Sequence, residues 1–259
     1  MTFTRSHRQG LLALVSLAAL VAVCFVPRIP QDPAYHAFVD QRTLLGVPNF
    51  WNVFSNIGYL AVGLYGLTQV SRLQAPAIRP AYVTFCIAVT LVAFGSSWYH
   101  YAPATDSLVW DRLPMAAGFM ALLALVLGER VSWALPRRVL WPLVIVGVAT
   151  VLYWAWTERR GVGDLRPYGL VQFLPIVLMP LLLLLFPGNR RSAKWLWWTF
   201  GGYVVAKIAE QLDGPIDDAL GLSGHSVKHF VSSIAVLFAV FAMLEMSTAI
   251  GRPAHSLTE

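Results

Sequence analysis

The sequence predicts an all-α fold, a polytopic bundle of transmembrane helices with no soluble accessory domain. Three observations predict it. Of 259 residues, 57% are hydrophobic and the mean hydropathy is +0.62. Only 12% are charged, against about a quarter in soluble domains. Eight apolar segments are long enough, or nearly so, to cross a bilayer.

The segments run at roughly 10–27, 49–71, 80–101, 107–128, 138–157, 168–186, 195–212 and 225–249. The first follows a basic flank of Arg5, His7 and Arg8, so a signal peptide is its alternative reading. Its Leu/Ala/Val run is long for such a peptide, and no A-x-A site follows. Val23 before Cys24 also makes a poor lipoprotein cleavage site. An uncleaved helix is therefore preferred, and residues 1–34 read as an N-terminal anchor plus linker. Asn49, Asn52, Ser55 and Asn56 open the second segment. Pro175 and Pro180 predict a bend in the sixth. Trp195, Trp197 and Trp198 stand where indoles favour the membrane interface. Residues 250–259, with Arg252 and His255, read as a cytoplasmic tail.

Charge sets the orientation. With the N-terminus inside, the inner Lys and Arg residues are Arg5, Arg8, Arg72, Arg79, Arg130, Arg137, Arg138, Arg190, Arg191, Lys194 and Arg252. The outer set is Arg28, Arg42, Arg159, Arg160 and Arg166. Eleven against five puts both termini in the cytoplasm, which an even number of spans allows. The net charge of +6 does not form a basic face, so no nucleic-acid partner is expected, and no protein partner is implied. Cys24 and Cys86 lie inside apolar runs and read as lipid-facing or packed thiols.

On this topology the polar residues converge on the outer leaflet. Ser96 and His100 end the third span, and Asp111 and Arg112 begin the fourth. Glu210 and Asp213 close the seventh; His225, Lys228 and His229 begin the eighth. The inner halves are mostly apolar, with Glu245 an exception. An ionisable residue in a span costs roughly 2.5–3.5 kcal/mol, so such a set is a functional hypothesis by default. A network that merely glues helices is the bland alternative. Arg112 with Glu210, or Lys207 with Glu210, forms an ion pair that holds helices in register. His36 and His255 fall in loops with no role assigned.

Spacing sharpens the chemistry. His225 and His229 are i, i+4 on a helix and share a face, as do Ser96 and His100. Three histidines, His100, His225 and His229, suit zinc and leave its fourth position open, the catalytic pattern. Zinc-bound water has a pKa near 7 and would attack a carbonyl. Position 226 is Ser, so the H-E-x-x-H base is missing and another helix must supply one. Asp111 fits that proton-handling role and Ser96 that of an oxyanion donor. Lipid amides and esters place their carbonyls at this depth, so a membrane lipid is the expected partner.

The stretches Phe50–Asn56, Ser96–His100, Asp111–Met115 and Ser223–His229 carry a resemblance. The chain resembles the alkaline ceramidase family, within the seven-helix membrane hydrolases that include the progestin and adipoQ receptors. The resemblance covers about residues 35–249, making the fold a seven-helix core plus an extra N-terminal helix. It implies zinc on His100, His225 and His229, with Ser96 and Asp111 catalytic and Asn52, Arg112 and Glu210 in support. The implied reaction is hydrolysis of the ceramide amide, a linear C–N bond, to a sphingoid base and a fatty acid. Eukaryotic members also carry calcium before the first core helix. Here Asp40 and Asn49, with Asp32 upstream, are a thin supply of oxygens for it; otherwise Asn49 caps the second helix.

Two other functions compete. A receptor or sensor with a structural zinc site is one, but the inner loops are too short for a signalling surface. A metal or proton transporter needs polar residues through both halves of the spans, and the inner halves lack them.

Overall fold

The computed structural model describes residues 4–250, with side chains to residue 248. Arg252, His255 and the rest of the expected tail lie outside the described residues. Among the described residues all regular structure is helical, apart from an isolated bridge between Leu44 and Val47. The α-helices are α1 (Arg5–Phe25), α2 (Phe50–Phe54), α3 (Ile57–Thr68), α4 (Arg79–Tyr101) and α5 (Thr105–Arg130), then α6 (Leu135–Arg159), α7 (Arg166–Leu185), α8 (Arg190–Gln211), α9 (Asp213–Leu220) and α10 (Gly224–Ile250).

Local chemistry sets many of the helix ends. Thr4 accepts a hydrogen bond from the His7 amide and Asn189 from that of Arg191, capping α1 and α8. Pro80, Pro136 and Pro167 stand in the first turns of α4, α6 and α7, where their missing N–H costs nothing. Gly221, at φ +65°, ends α9 in the left-handed region. Pro175 and Pro180 both fall inside α7, as the sequence predicts.

Among the described residues six helices, α1, α4, α5, α6, α7 and α10, are long and apolar enough to cross a membrane. That is fewer than the eight segments read from sequence. The expected span 49–71 is broken at Ser55–Asn56 into α2 and α3, because Asn52, Ser55 and Asn56 are turned into the bundle. Helix α8 is long, but Arg190, Arg191, Lys194, Lys207 and Glu210 dilute its apolar character. The chain is a multi-pass helical bundle.

Helix α5 is the hub. It packs along α4 and α6 and reaches α7, with Ala116, Ala121, Ala124 and Leu125 fully buried. Helix α10 packs along α8 and against α3. Helix α1 meets the bundle mainly at α7 and buries none of its residues. Leu14, Phe94, Trp110, Ile145, Leu184 and Ile208 project outward from six helices, a surface suited to acyl chains rather than water. Cys24 is exposed among them and Cys86 is packed inside. Small residues allow close approach where it matters: a Cβ on Gly95 would collide with the Trp110 carbonyl. The close approach of α4 and α5 there accompanies the interaction of Ser96 with Asp111 one residue further along each helix.

The connection from α1 to α2 crosses the end of the bundle that holds these polar residues. Leu165 donates to the Ile29 carbonyl at 2.8 Å, and Glu158 accepts from the Gln31 amide at 2.7 Å. A 3-10 turn, Pro33–His36, follows, capped by Asp32. His36 has a definite place after all. Its ring nitrogens meet the Tyr99 hydroxyl at 3.0 Å and Thr105 Oγ1 at 3.2 Å. Burial, and then the positive charge of Arg112, hold its pKa below the usual imidazole value.

A candidate metal centre

Helix α4 delivers His100 and α10 delivers His225 and His229, each almost fully buried. One ring nitrogen from each lies within 4.8 Å of the others. The pairwise ring-centroid distances are 4.8, 4.9 and 4.9 Å. His100 Nε2 and His225 Nε2 stand 3.3 Å apart.

The His229 ring is held from behind by a side chain, and the other two histidines are held through their backbones. Ser55 Oγ donates to the Asn52 carbonyl at 3.2 Å and meets His229 Nδ1 at 2.8 Å. A hydroxyl has one hydrogen, so Nδ1 is the donor to Ser55 and Nε2 keeps its lone pair for the centre. His225 is fixed through its backbone, whose amide donates to Asp213 Oδ1 at 2.8 Å. Asn49 Nδ2 donates to the His100 carbonyl at 2.8 Å. Asn52, wholly buried, accepts from Ser226 Oγ at 2.8 Å and Ser223 Oγ at 3.0 Å, tying α2 to the start of α10.

The donor set fits a small cation. Nitrogens held at about 2.0–2.1 Å on a tetrahedral ion stand about 3.3–3.4 Å apart, matching the observed 3.3 Å. Three imidazoles sharing one point, with no carboxylate among them, match the neutral ligand set of catalytic zinc.

One side of this centre is closed. The Phe38 ring lies 4.6 Å from both His100 and His225, centroid to centroid, and is buried. The other side faces a cavity of about 190 Å³. His229, Ser96, Asp111 and Tyr59 line it near the centre, and Phe85, Val89, Leu122, Val236 and Ala239 line it deeper in the bundle. Asp111 interacts with the Ser96 hydroxyl. Glu210 accepts from Lys228 Nζ at 2.7 Å and also pairs with Lys207. Lys228 Nζ is 3.2 Å from His225 Nε2 as well. Of the two pairings the sequence offered for Glu210, the one with Lys207 forms, joined by Lys228, while Arg112 stacks on aromatic rings.

The ceramidase family model matches residues 45–205, more than half of the chain. The chain belongs to the ceramidase family. No curated protein matches it. The matched region of this ceramidase-family chain includes Ser96, His100 and Asp111 and ends before α10. His225 and His229 therefore join the set on geometry.

The residues expected for calcium do not fit it. Asp40 Oδ1 binds the Arg42 guanidinium at 2.6 Å, and Oδ2 accepts from the Trp51 and Asn52 amides at 2.8 and 3.3 Å. Asn49 stands at the N-cap of α2 in the left-handed region without a side-chain cap, its amide spent on His100. Arg42 also reaches Asp217 Oδ1 at 2.6 Å and the Gly221 carbonyl at 2.7 Å. A fixed guanidinium thus gathers the oxygens that a divalent ion would need. Asp32 caps its own turn. Sequence reasoning missed Phe38, the Ser55–His229 contact and the Lys228–His225 contact. A lysine inside a span was a signal for the last; a loop phenylalanine carried none.

Proposed function

We propose that this chain is a zinc-dependent hydrolase of a lipid amide, with ceramide as substrate and a sphingoid base and fatty acid as products. The observation that carries the reading is the buried three-histidine centre with Ser96 and Asp111 on the wall of a largely apolar cavity. His100, His225 and His229 would hold the ion, and zinc there supplies Lewis acidity toward a carbonyl oxygen and toward water. Asp111 takes a proton from the attacking water and returns it to the amide nitrogen as that nitrogen leaves. Ser96 Oγ donates to the carbonyl oxygen as it gains negative charge. The apolar lining holds the acyl and sphingoid chains, and Phe38 keeps water off the opposite side of the centre.

The charge count along the chain favours an active site near the non-cytoplasmic face, with both termini in the cytoplasm. Residues 35–249 form the ceramidase-like unit in this reading and residues 1–34 a retained anchor. Contacts of Val26 and Ile29 with Arg166 and Leu165 support retention.

The test is fatty-acid release from fluorescent ceramides by detergent-purified chain, with zinc counted in the same samples. Turnover with about one zinc per chain, both lost in His225→Ala, is the expected result. Absence of zinc from the wild type would refute it.

A further inference from the structure

Arg112 sits two turns into α5 and is 7% exposed. Its Cζ lies 4.2 Å from the Trp154 ring centre, 5.0 Å from that of Tyr168 and 5.5 Å from that of Tyr35. Rings attract a guanidinium through its face and leave its in-plane N–H donors untouched. Nη1 is enclosed without a hydrogen-bond partner, and among the described residues the guanidinium forms no salt bridge.

The anions that might have served it are committed elsewhere. Asp111 interacts with Ser96, and Glu210 is taken by Lys207 and Lys228. With neutral imidazoles, the cavity wall carries three cations (Arg112, Lys207 and Lys228) against two carboxylates (Asp111 and Glu210). Water can meet an unused donor but leaves the charge uncompensated in a low-dielectric bundle.

We propose that Arg112 is a receptor for an oxyanion carried by a lipid in the cavity. The planar fork matches carboxylate, sulfonate and phosphate alike. Because Arg112 neighbours Asp111 on the same wall, the oxyanion lies close to the scissile amide. It is either an anionic substituent of the sphingoid headgroup or the carboxylate of the released fatty acid. The lipid nature of this ligand rests on the function proposed above.

The test is competition for the cavity of the full, metal-loaded chain in detergent, displacing a fluorescent fatty alcohol. The competitors are palmitate against methyl palmitate, and ceramide 1-phosphate against ceramide. In the wild type at least one anion competes tenfold or more better than its neutral partner, and Arg112→Gln removes that advantage while neutral lipids compete as before. Loss confined to palmitate identifies the product carboxylate; loss with ceramide 1-phosphate identifies a headgroup site. Arg112→Lys keeps a cation beside the rings but not the fork, so it retains the fold and cuts the preference several-fold; it decides the matter if the glutamine variant does not fold. A wild type without anion preference, or preference unchanged in both variants, overturns the proposal. Turnover is not read, so a failure of ceramide hydrolysis stays separate from this result.

Discussion

Ser55→Ala tests the metal centre without touching a ligand. Ser55 is wholly buried, and its hydroxyl meets His229 Nδ1 at 2.8 Å, with the Asn52 backbone as a second partner of that ring. The substitution removes the hydroxyl and leaves the N–H with the Asn52 backbone alone. Removing a partner from a buried donor costs about 1–3 kcal/mol. The tautomer that keeps Nε2 free is then held less firmly, so the cost falls on zinc binding. At about 1.4 kcal/mol per decade, zinc affinity drops roughly 5- to 150-fold, in line with the 10–100-fold typical of partners behind a ligand. The assay is zinc competition against a chromophoric chelator in detergent, with melting temperature measured on the zinc-free protein. Unchanged zinc affinity in Ser55→Ala, alongside loss of zinc in His225→Ala, would refute the orientation argument for His229.

Asp111→Asn keeps the shape of the cavity and removes the proton carrier; turnover should fall about 10²- to 10⁴-fold with zinc content unchanged, read by ceramide hydrolysis and metal analysis. Gly95→Leu places a branched side chain against the Trp110 carbonyl, so it should separate α4 from α5, lower the melting temperature and reduce turnover at once. A calcium-selective chelator should leave activity intact, because Arg42 already holds Asp40, Asp217 and the Gly221 carbonyl. Arg42→Ala should loosen that corner by about 1–3 kcal/mol in thermal stability, with no rescue by added calcium.

Much of the centre was legible because lipid punishes polarity. In a chain with so few charges, His100, Asp111, His225 and His229 stand out inside apolar runs, and the i, i+4 spacings of Ser96–His100 and His225–His229 fix shared faces. Which acid meets which base was not legible. Arg112 and Lys207 were both candidates for Glu210, and the rotation of α5 and α8 about their axes decides between them. That rotation follows from packing, such as the fit of Arg112 against Trp154, which no local spacing encodes. Phe38 was invisible for another reason: its place over the histidines comes from a long connection, held where Asp213 accepts from the Val39 amide and where Asp40 accepts from the Trp51 amide. The break after α2 was half legible, since Asn52, Ser55 and Asn56 marked the segment as polar but not as two helices.

The two ends of the bundle use polar residues differently, and that difference separates structure from function. At the opposite end, Glu129 pairs with Arg130 and with Ser192, and Ser247 accepts from the Gln74 and Ala75 amides. The buried charges there pair with each other and hold helices together, although Arg130 Nη2 has no hydrogen-bond partner among the described residues. Around the histidines the compensation is incomplete. Three ligand nitrogens converge without an acid, His100 Nδ1 and Arg112 Nη1 lack partners, and the cations outnumber the carboxylates. Desolvating such groups destabilises the bundle, and in the reading proposed above a bound cation and an anionic lipid group recover the cost. In that reading the histidine end is organised for binding, whereas the opposite end keeps its buried charge in the Glu129–Arg130 pair.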